Sequence, residues 1–272
     1  MLITGELAGV EDWFEANRQG WNLRTPVHRN SEFYDVAGWQ AGKSSLNPIE
    51  LEEMGDVSGL KLLHLQCHFG QDTLSWARLG ARVTGCDLSD EAIQEAGRLA
   101  RQARLKARFL RCNVYHLPNL LSGKFERIIA SYGCLGWLPD LAGWARVVHH
   151  FLKRKGRFVL VEFHPLVWMF DEHFEKIEYA YHNTGPIVSD NQGTYTDREA
   201  AIRYRDYGWN HGLAEVIESF LQAGLRLESF KEYTGSPYAC FRKSVLGEDG
   251  LYRIQGLEDK IPLLYSLRMT RP

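Results

Sequence analysis

The residues best suited to chemistry lie around two short apolar runs in the first third of the chain. Leu62, Leu63 and Leu65 form the first run, which is typical of a strand buried on both faces of a parallel sheet. Gly70 follows where the chain must turn sharply into a helix. Asp87 ends the second run, about twenty residues after the turn begins, a spacing at which a carboxylate can bind ribose hydroxyls. The pattern predicts a βαβ unit that binds a nucleoside.

Strands and helices alternate along most of the remaining chain, as in a sheet with crossover helices. Ser89 is a suitable N-cap for the helix that follows Asp87. Further strands are predicted at 107–112, 127–131, 158–163, 226–233 and 263–269, with helices opening near Asp140 and Leu213. Gly156 and Gly224 are predicted to cap the ends of these two helices. No helical pattern separates the last two strands, so we expect them to pair antiparallel.

The alternation stops between residues 164 and 210, where many tyrosines and other aromatic residues occur. The turn signals Thr184-Gly185-Pro186 and Asn191-Gln192-Gly193 predict a β-hairpin or an irregular lid in this segment. Residues 1–58 precede the first strand and are predicted to form an N-terminal cover segment. Residues 59–272 then form one domain that carries the lid insertion.

Composition excludes several classes of function. A formal net charge of −2 leaves no basic surface for nucleic acid. No apolar run approaches the roughly 20 residues that cross a bilayer, and the N-terminus lacks a secretory signal pattern, so a cytoplasmic protein without a membrane partner is expected. The five cysteines show no metal-finger spacing and are predicted to be buried thiols. His64 and His68 flank a strand-to-turn transition, and no metal site is expected there.

Seven strands in this order, the last two without a crossover helix, resemble the class I S-adenosylmethionine-dependent methyltransferases over about residues 61–271. The segment HLQCHFGQD, which begins at His64, is similar to that family's D-x-G-C-G-x-G turn and resembles the variant of one bacterial branch. Asp87 matches the ribose-binding acid, and Asn113 matches the polar residue beside the adenine. Leu152–Gly156 (LKRKG) resembles the L-x-P-G-G turn before the fifth strand.

This resemblance implies an α/β, doubly wound sheet of seven mostly parallel strands, the last one antiparallel: a Rossmann-like methyltransferase fold with an aromatic lid insertion. It implies S-adenosylmethionine as cofactor and S-adenosylhomocysteine as product. The implied cofactor-binding residues are Gln66, Cys67, His68, Phe69, Gly70, Asp87, Leu88, Asn113, Val114 and Ser131. Two alternatives from the residues themselves stay open. Asp87 could instead cap the following helix, and Asn113 could be a turn residue.

The resemblance also indicates which kind of methyl acceptor the protein uses. Ser131-Tyr132-Gly133-Cys134 follows the fourth strand, where DNA amino-methylases carry (N/D)PP(Y/F), so methyl transfer to an O, N or S atom of a small molecule is implied. His164 is the candidate general base, unless it is a structural histidine that orients the Pro165 turn. Arg24 could pair with the cofactor carboxylate or be solvated.

Two other classes of function are kept as alternatives. One is a non-catalytic protein that binds S-adenosylmethionine or S-adenosylhomocysteine. The other is an NAD-dependent oxidoreductase, although the G-x-G-x-x-G turn of that class is missing from the segment HLQCHFGQD.

Overall fold

A seven-stranded sheet forms the centre of the protein, and the computed structural model describes residues 10–272. Its strands are β1 (Lys61–Leu65), β2 (Arg82–Asp87), β3 (Ala107–Arg111), β4 (Phe125–Ser131), β5 (Leu152–Phe163), β8 (Arg226–Tyr233) and β11 (Leu264–Thr270). Their order across the sheet is β3-β2-β1-β4-β5-β11-β8. β11 is antiparallel to both of its neighbours, and the other pairs are parallel. The predicted seven-stranded sheet with an antiparallel last strand is confirmed.

Two hairpins accompany this sheet. β6 (Ile187–Gln192) pairs antiparallel with β7 (Arg203–Gly208), inside the segment where a hairpin or an irregular lid is predicted. β9 (Ser244–Leu246) pairs with β10 (Tyr252–Ile254) between β8 and β11. The sequence analysis does not predict this second hairpin, because its strands are too short to show a periodic pattern.

Helices cover the sheet and the loops at its edge. They are α1 (Val10–Arg29), α2 (Val36–Gln40), α3 (Pro48–Met54), α4 (Gln71–Arg78), α5 (Asp90–Gln102), α6 (Leu117–Leu120), α7 (Leu141–Phe151) and α8 (Leu213–Gln222). Ser89 caps α5 as predicted, since its hydroxyl accepts a hydrogen bond from the Ala92 N–H at 3.1 Å. Within residues 10–272, no helix combines the length and the apolar character that a membrane span requires.

The end of α7 differs from its prediction. α7 ends at Phe151, and the chain enters β5 directly at Leu152 in an extended conformation. The left-handed residue is Lys155, with φ +58°, rather than Gly156. The β4–β5 pairing jumps by several residues here, so that 153–156 bulge out of the ladder. Gly156 as a helix cap is therefore wrong, and LKRKG is a bulge within the strand.

Both faces of the sheet are buried, because successive strand residues point to opposite sides. One face packs against α7 and α8 through Leu63, Leu65, Ile128, Phe158 and Leu160. The other packs against α3 and α4 through Leu62, Val83, Ile129, Val159 and Val161. The helices therefore cover the faces of the sheet, and the carboxyl ends of the parallel strands contact loops at one edge. Open α/β sheets bind ligands at that edge.

Candidate active site

A cavity of about 690 Å³ lies at the carboxyl ends of β1, β2, β3 and β4. This volume is within the range of small-molecule sites, roughly 300–1,000 Å³. All the residues predicted to bind the cofactor line it: Gln66, Cys67, His68, Phe69, Gly70, Asp87, Leu88, Asn113, Val114 and Ser131. The structure thus brings together side chains that come from four separate strand ends.

The turn between β1 and α4 has an unusual backbone. Gln66, His68 and Gly70 adopt positive φ angles of 52°, 51° and 75°. A Cβ atom on Gly70 would lie 2.7 Å from the Phe109 ring and 2.8 Å from the Ala96 Cβ, so this position requires glycine. Gln66 and His68 stand where the family pattern has glycines. They keep a glycine-like backbone while adding side chains to the cavity wall.

Asp87 ties this turn to the end of β2. One carboxylate oxygen accepts a hydrogen bond from the His68 N–H at 2.8 Å, and the other accepts from the Ser89 N–H at 2.9 Å. Burial raises the pKa of Asp87, and these backbone donors offset part of that rise. Each oxygen keeps a free lone pair. The carboxylate is therefore held in place and can accept further hydrogen bonds from a pair of hydroxyls.

Two amide side chains beside it differ in how their polar atoms are used. The Asn113 Oδ1 accepts from the Tyr115 N–H at 3.1 Å, so Asn113 does begin a short turn, as the alternative interpretation has it, while also lining the cavity. The Gln66 Nε2 donates to the Cys134 carbonyl at 2.7 Å. The Gln66 Oε1 is buried without a hydrogen-bond partner among the described residues. A ligand N–H group would satisfy this acceptor.

Two buried histidines, His28 and His64, and the half-buried His68 form hydrogen bonds around the same turn. The His64 Nδ1 lies 2.9 Å from the Thr73 hydroxyl. The His68 Nε2 lies 3.3 Å from the His28 Nδ1, and the His28 Nε2 lies 2.6 Å from the Thr194 hydroxyl. Burial lowers the pKa of His64 to about 4, of His68 to about 3 and of His28 to about 2. These rings are therefore neutral at physiological pH and add no charge to the cavity.

Two distant segments complete the cavity wall, namely α1 and the β6–β7 hairpin. Asn17 joins them, because its side chain donates to the Tyr207 carbonyl and accepts from the Tyr207 N–H, both at 2.8 Å. Arg24 pairs with Asp206 at 2.5 Å and is 6% exposed, so the alternative of a solvated arginine is wrong. Residues 1–9 of the predicted N-terminal cover segment lie outside the described residues.

Comparison with known proteins agrees with this geometry. Residues 63–158 match a family model described as a methyltransferase domain. A demethylmenaquinone methyltransferase of Lactococcus lactis subsp. lactis is 26% identical over 201 residues, which are 70% of this chain and 75% of that relative. A ubiquinone biosynthesis O-methyltransferase of Xanthomonas oryzae pv. oryzae is 27% identical over 133 residues. That match covers 48% of this chain and 55% of the relative, so the chain spans about half of its length.

Among solved structures, the geranyl diphosphate C-methyltransferase of Streptomyces coelicolor, in complex with Mg²⁺, geranyl diphosphate and S-adenosyl-L-homocysteine, has a TM-score of 0.60. Its sequence is 16% identical to this chain, and the match covers 96% of this chain and 98% of that structure, which shows a shared fold. Residues 63–158 thus resemble a methyltransferase domain, and the chain shares its fold with solved S-adenosylmethionine-dependent methyltransferases.

His164 does not lie at the cavity. It is absent from the lining residues, although its neighbours Phe163 and Pro165 are present. Its Nε2 lies 2.9 Å from a Glu232 carboxylate oxygen, and its Nδ1 accepts from the Leu166 N–H at 3.1 Å. Both ring nitrogens are therefore engaged away from the cavity. These contacts favour the structural histidine at the Pro165 turn, which is the alternative to a general base.

The structure adds cavity residues that are not among the predicted cofactor-binding or catalytic residues. Five of them form what we call the aromatic wall: Phe33, Tyr34, Tyr132, Tyr195 and Tyr238. The Tyr132 hydroxyl donates at 2.5 Å to Glu50, a carboxyl group that is 1% exposed. Burial raises the pKa of Glu50 to about 7. Asp72, in the first turn of α4, also lines the cavity. Its position two residues after Gly70 is the one signal that could have found it.

Proposed function

We propose that this protein is an S-adenosylmethionine-dependent methyltransferase, an enzyme that transfers the methyl group of its cofactor to an O, N or S atom of a small molecule. The observation that carries the proposal is one cavity that is lined both by the Gly70 turn with Asp87 and by the aromatic wall. The relatives named above, which act in menaquinone and ubiquinone biosynthesis by name, support a small-molecule acceptor.

Each residue of the cofactor end has a definite task in this proposal. Asp87 accepts hydrogen bonds from the two ribose hydroxyls. Leu88 and Val114 flank the adenine, and Asn113 contacts its edge. The Gln66 Oε1, which lacks a partner within the described part of the chain, accepts from the amino group of the methionine end.

When bound, S-adenosylmethionine supplies a methyl group activated by the positive charge on its sulfur. The residues around the cavity position the acceptor in line with that group, which is the main requirement of such a transfer. α1 and the β6–β7 hairpin, joined through Asn17 and Tyr207, then serve as the cover that excludes water.

The experiment is a calorimetric titration with S-adenosylhomocysteine, with NAD as the comparison ligand. We expect micromolar binding of the first ligand alone. Asp87→Ala removes two charge-assisted hydrogen bonds, about 3 kcal/mol or more, and should weaken the affinity about a hundredfold. Asp249→Ala, at an exposed position between β9 and β10, is the matched control. Binding of NAD, or of neither ligand, would overturn the proposal.

Methyl transfer is tested separately, by following the tritiated methyl group of S-adenosylmethionine into a panel of small alcohols, phenols, thiols and amines. Transfer to any of them establishes an enzyme. S-adenosylhomocysteine binding without transfer to any of them would instead favour the non-catalytic binding protein.

A further inference from the structure

The cavity is lined by more anionic than cationic side chains. Its cationic side chains are Arg24 and Lys43, and each is already paired with a carboxylate, Arg24 with Asp206 at 2.5 Å and Lys43 with Asp35 at 2.9 Å. The histidines of the cofactor turn are neutral. Each cation of the cavity is thus partly neutralised by a carboxylate, although the Arg24 Nε is buried without a hydrogen-bond partner among the described residues.

All but one of the carboxyl groups that line the cavity are paired with a cation, bound by backbone N–H groups or assigned to the cofactor. Glu162 accepts four backbone N–H groups, and Asp87 belongs to the cofactor end. Asp72 has no cationic partner among the described residues, and the Ser45 hydroxyl is the group that lowers its pKa. Burial raises the pKa of Asp72 to about 6, so the carboxyl is ionised at neutral pH. A free negative charge is left in the cavity.

Asp72 lies beside the aromatic wall. Asp72, Tyr34, Tyr132 and Tyr238 all line the same cavity. Tyr34 also contacts the turn that precedes Asp72, because its carbonyl accepts from the Gln71 side chain at 2.7 Å and its ring centroid lies 4.8 Å from that of Phe69. Burial raises the pKa of the three tyrosine hydroxyls, and the Asp72 charge raises it further. These tyrosines reach it from separate parts of the chain: one precedes α2, one follows β4 and one follows β8. The carboxylate and the rings thus face the same volume.

The rings of the aromatic wall meet at several angles. The Phe33 and Tyr238 rings stack with centroids 5.4 Å apart and an interplanar angle of 23°. Tyr238 and Tyr132 meet edge to face, with centroids 4.8 Å apart, and Phe33 meets Tyr195 at 5.4 Å. The Tyr132 and Tyr238 hydroxyls are bonded to Glu50 and Asn47, so the wall offers the cavity mainly the carbon atoms of its rings. Ring faces attract cations through the quadrupole of the π-system.

We propose that the methyl acceptor is a small amine, which binds as its ammonium cation between the Asp72 carboxylate and the aromatic wall and is methylated on nitrogen. This inference rests on the proposed function and names its substrate class. A phenol fits less well, because its proton must leave to create a second anion next to Asp72 and the Tyr132–Glu50 pair. A carboxylic or phosphoric acid would be repelled by the Asp72 carboxylate, and the cations of the cavity are already partly neutralised by Asp206 and Asp35.

The proposed step balances as follows. The Asp72 carboxylate takes a proton from the ammonium group, which frees the nitrogen lone pair. The nitrogen then bonds to the methyl carbon while the carbon–sulfur bond breaks, and its electron pair stays on the sulfur. The products are the methylated ammonium ion and S-adenosylhomocysteine, and the protonated Asp72 returns its proton to water.

The test uses the full chain and matched pairs of probes that differ in charge: 2-phenylethylamine against 2-phenylethanol, and tyramine against 4-ethylphenol. Binding is measured by calorimetry with saturating S-adenosylhomocysteine, and methyl transfer with the tritiated cofactor. We expect each amine to bind at least about tenfold more tightly than its neutral partner. Tritium should enter the amines on nitrogen.

Asp72→Asn keeps the shape of the side chain and removes its charge. It should weaken amine binding at least about tenfold and leave the S-adenosylhomocysteine affinity within about twofold. Glu218→Gln, an exposed residue of α8, should change neither.

Three results would overturn the amine proposal: no preference for amines over their neutral partners, methyl transfer to the phenol oxygen alone, or an equal loss of S-adenosylhomocysteine affinity in Asp72→Asn. The last result would assign the carboxylate to the cofactor. Failure of the parent protein to bind S-adenosylhomocysteine is a different outcome, which overturns the proposed function itself.

Discussion

Glu162→Gln tests whether one buried carboxylate holds the loop that follows β4. Glu162 is 3% exposed, and its two oxygens divide four donors between them. Oε1 accepts from the N–H groups of Gly133 and Phe163, at 2.6 and 2.7 Å. Oε2 accepts from those of Cys134 and Leu135, at 2.6 and 3.0 Å. Glutamine has one carbonyl oxygen and one NH₂ group, so two backbone donors would face another donor in either orientation.

The expected cost follows from this count. A buried donor without a partner costs about 1–3 kcal/mol, so two of them cost about 2–6 kcal/mol. In a chain of this size one kcal/mol moves Tm by about 2 °C, which predicts a fall of about 4–12 °C. The loss of these hydrogen bonds should also disturb the turn between β1 and α4, because the Gln66 amide donates to the carbonyl of Cys134 in this loop. The S-adenosylhomocysteine affinity should therefore also fall.

Thermal unfolding followed by circular dichroism, with and without S-adenosylhomocysteine, measures both effects. Glu218→Gln is the matched control, since it makes the same chemical change at an exposed position of α8. A Tm for Glu162→Gln within about 1 °C of the parent would refute the reasoning, because it would mean that the four hydrogen bonds contribute no net stability.

Three further predictions follow from other contacts. Gly70→Ala should cost about 1–2 kcal/mol of backbone strain and weaken S-adenosylhomocysteine binding. Gly97→Ala is the control and should bind normally, because its Cβ would lie 3.5 Å from the nearest atom, on the Arg101 side chain. Equal calorimetric affinities of the two variants would contradict this prediction. The pKa of Glu50 is about 7 rather than 4.5, so folding favours its protonated form, and about 3 kcal/mol of stability should be lost as pH rises from 4.5 to 7. Urea unfolding of Glu50→Gln should lack this component, and an unchanged pH dependence would disprove it. Asn17→Ala should free α1 from Tyr207 and speed proteolysis within α1, and cleavage at the parent rate would argue against this link.

Local patterns in the sequence predict much of the fold and the cofactor end. The apolar runs, the Ser89 cap and the absence of a helix before the last strand are short-range features, and the structure agrees with each of them. The residues predicted to bind the cofactor also lie together at the cavity, because a strand end and the turn after it are continuous in sequence. Gly156 fails because β5 begins earlier than its apolar core, and a bulge replaces the expected turn.

Only the tertiary structure decided what the acceptor end contains. Phe33, Tyr195 and Tyr238 are far apart in the chain, and no spacing rule predicts that their rings meet. His164 shows the converse, since its neighbours along the chain line the cavity while its own ring turns to Glu232. The sequence alone determined the sheet, the cofactor turn and Asp87, because backbone periodicity and turn geometry are local. The aromatic wall and the free charge of Asp72 depend on how loops cross in space, and that is decided by long-range packing.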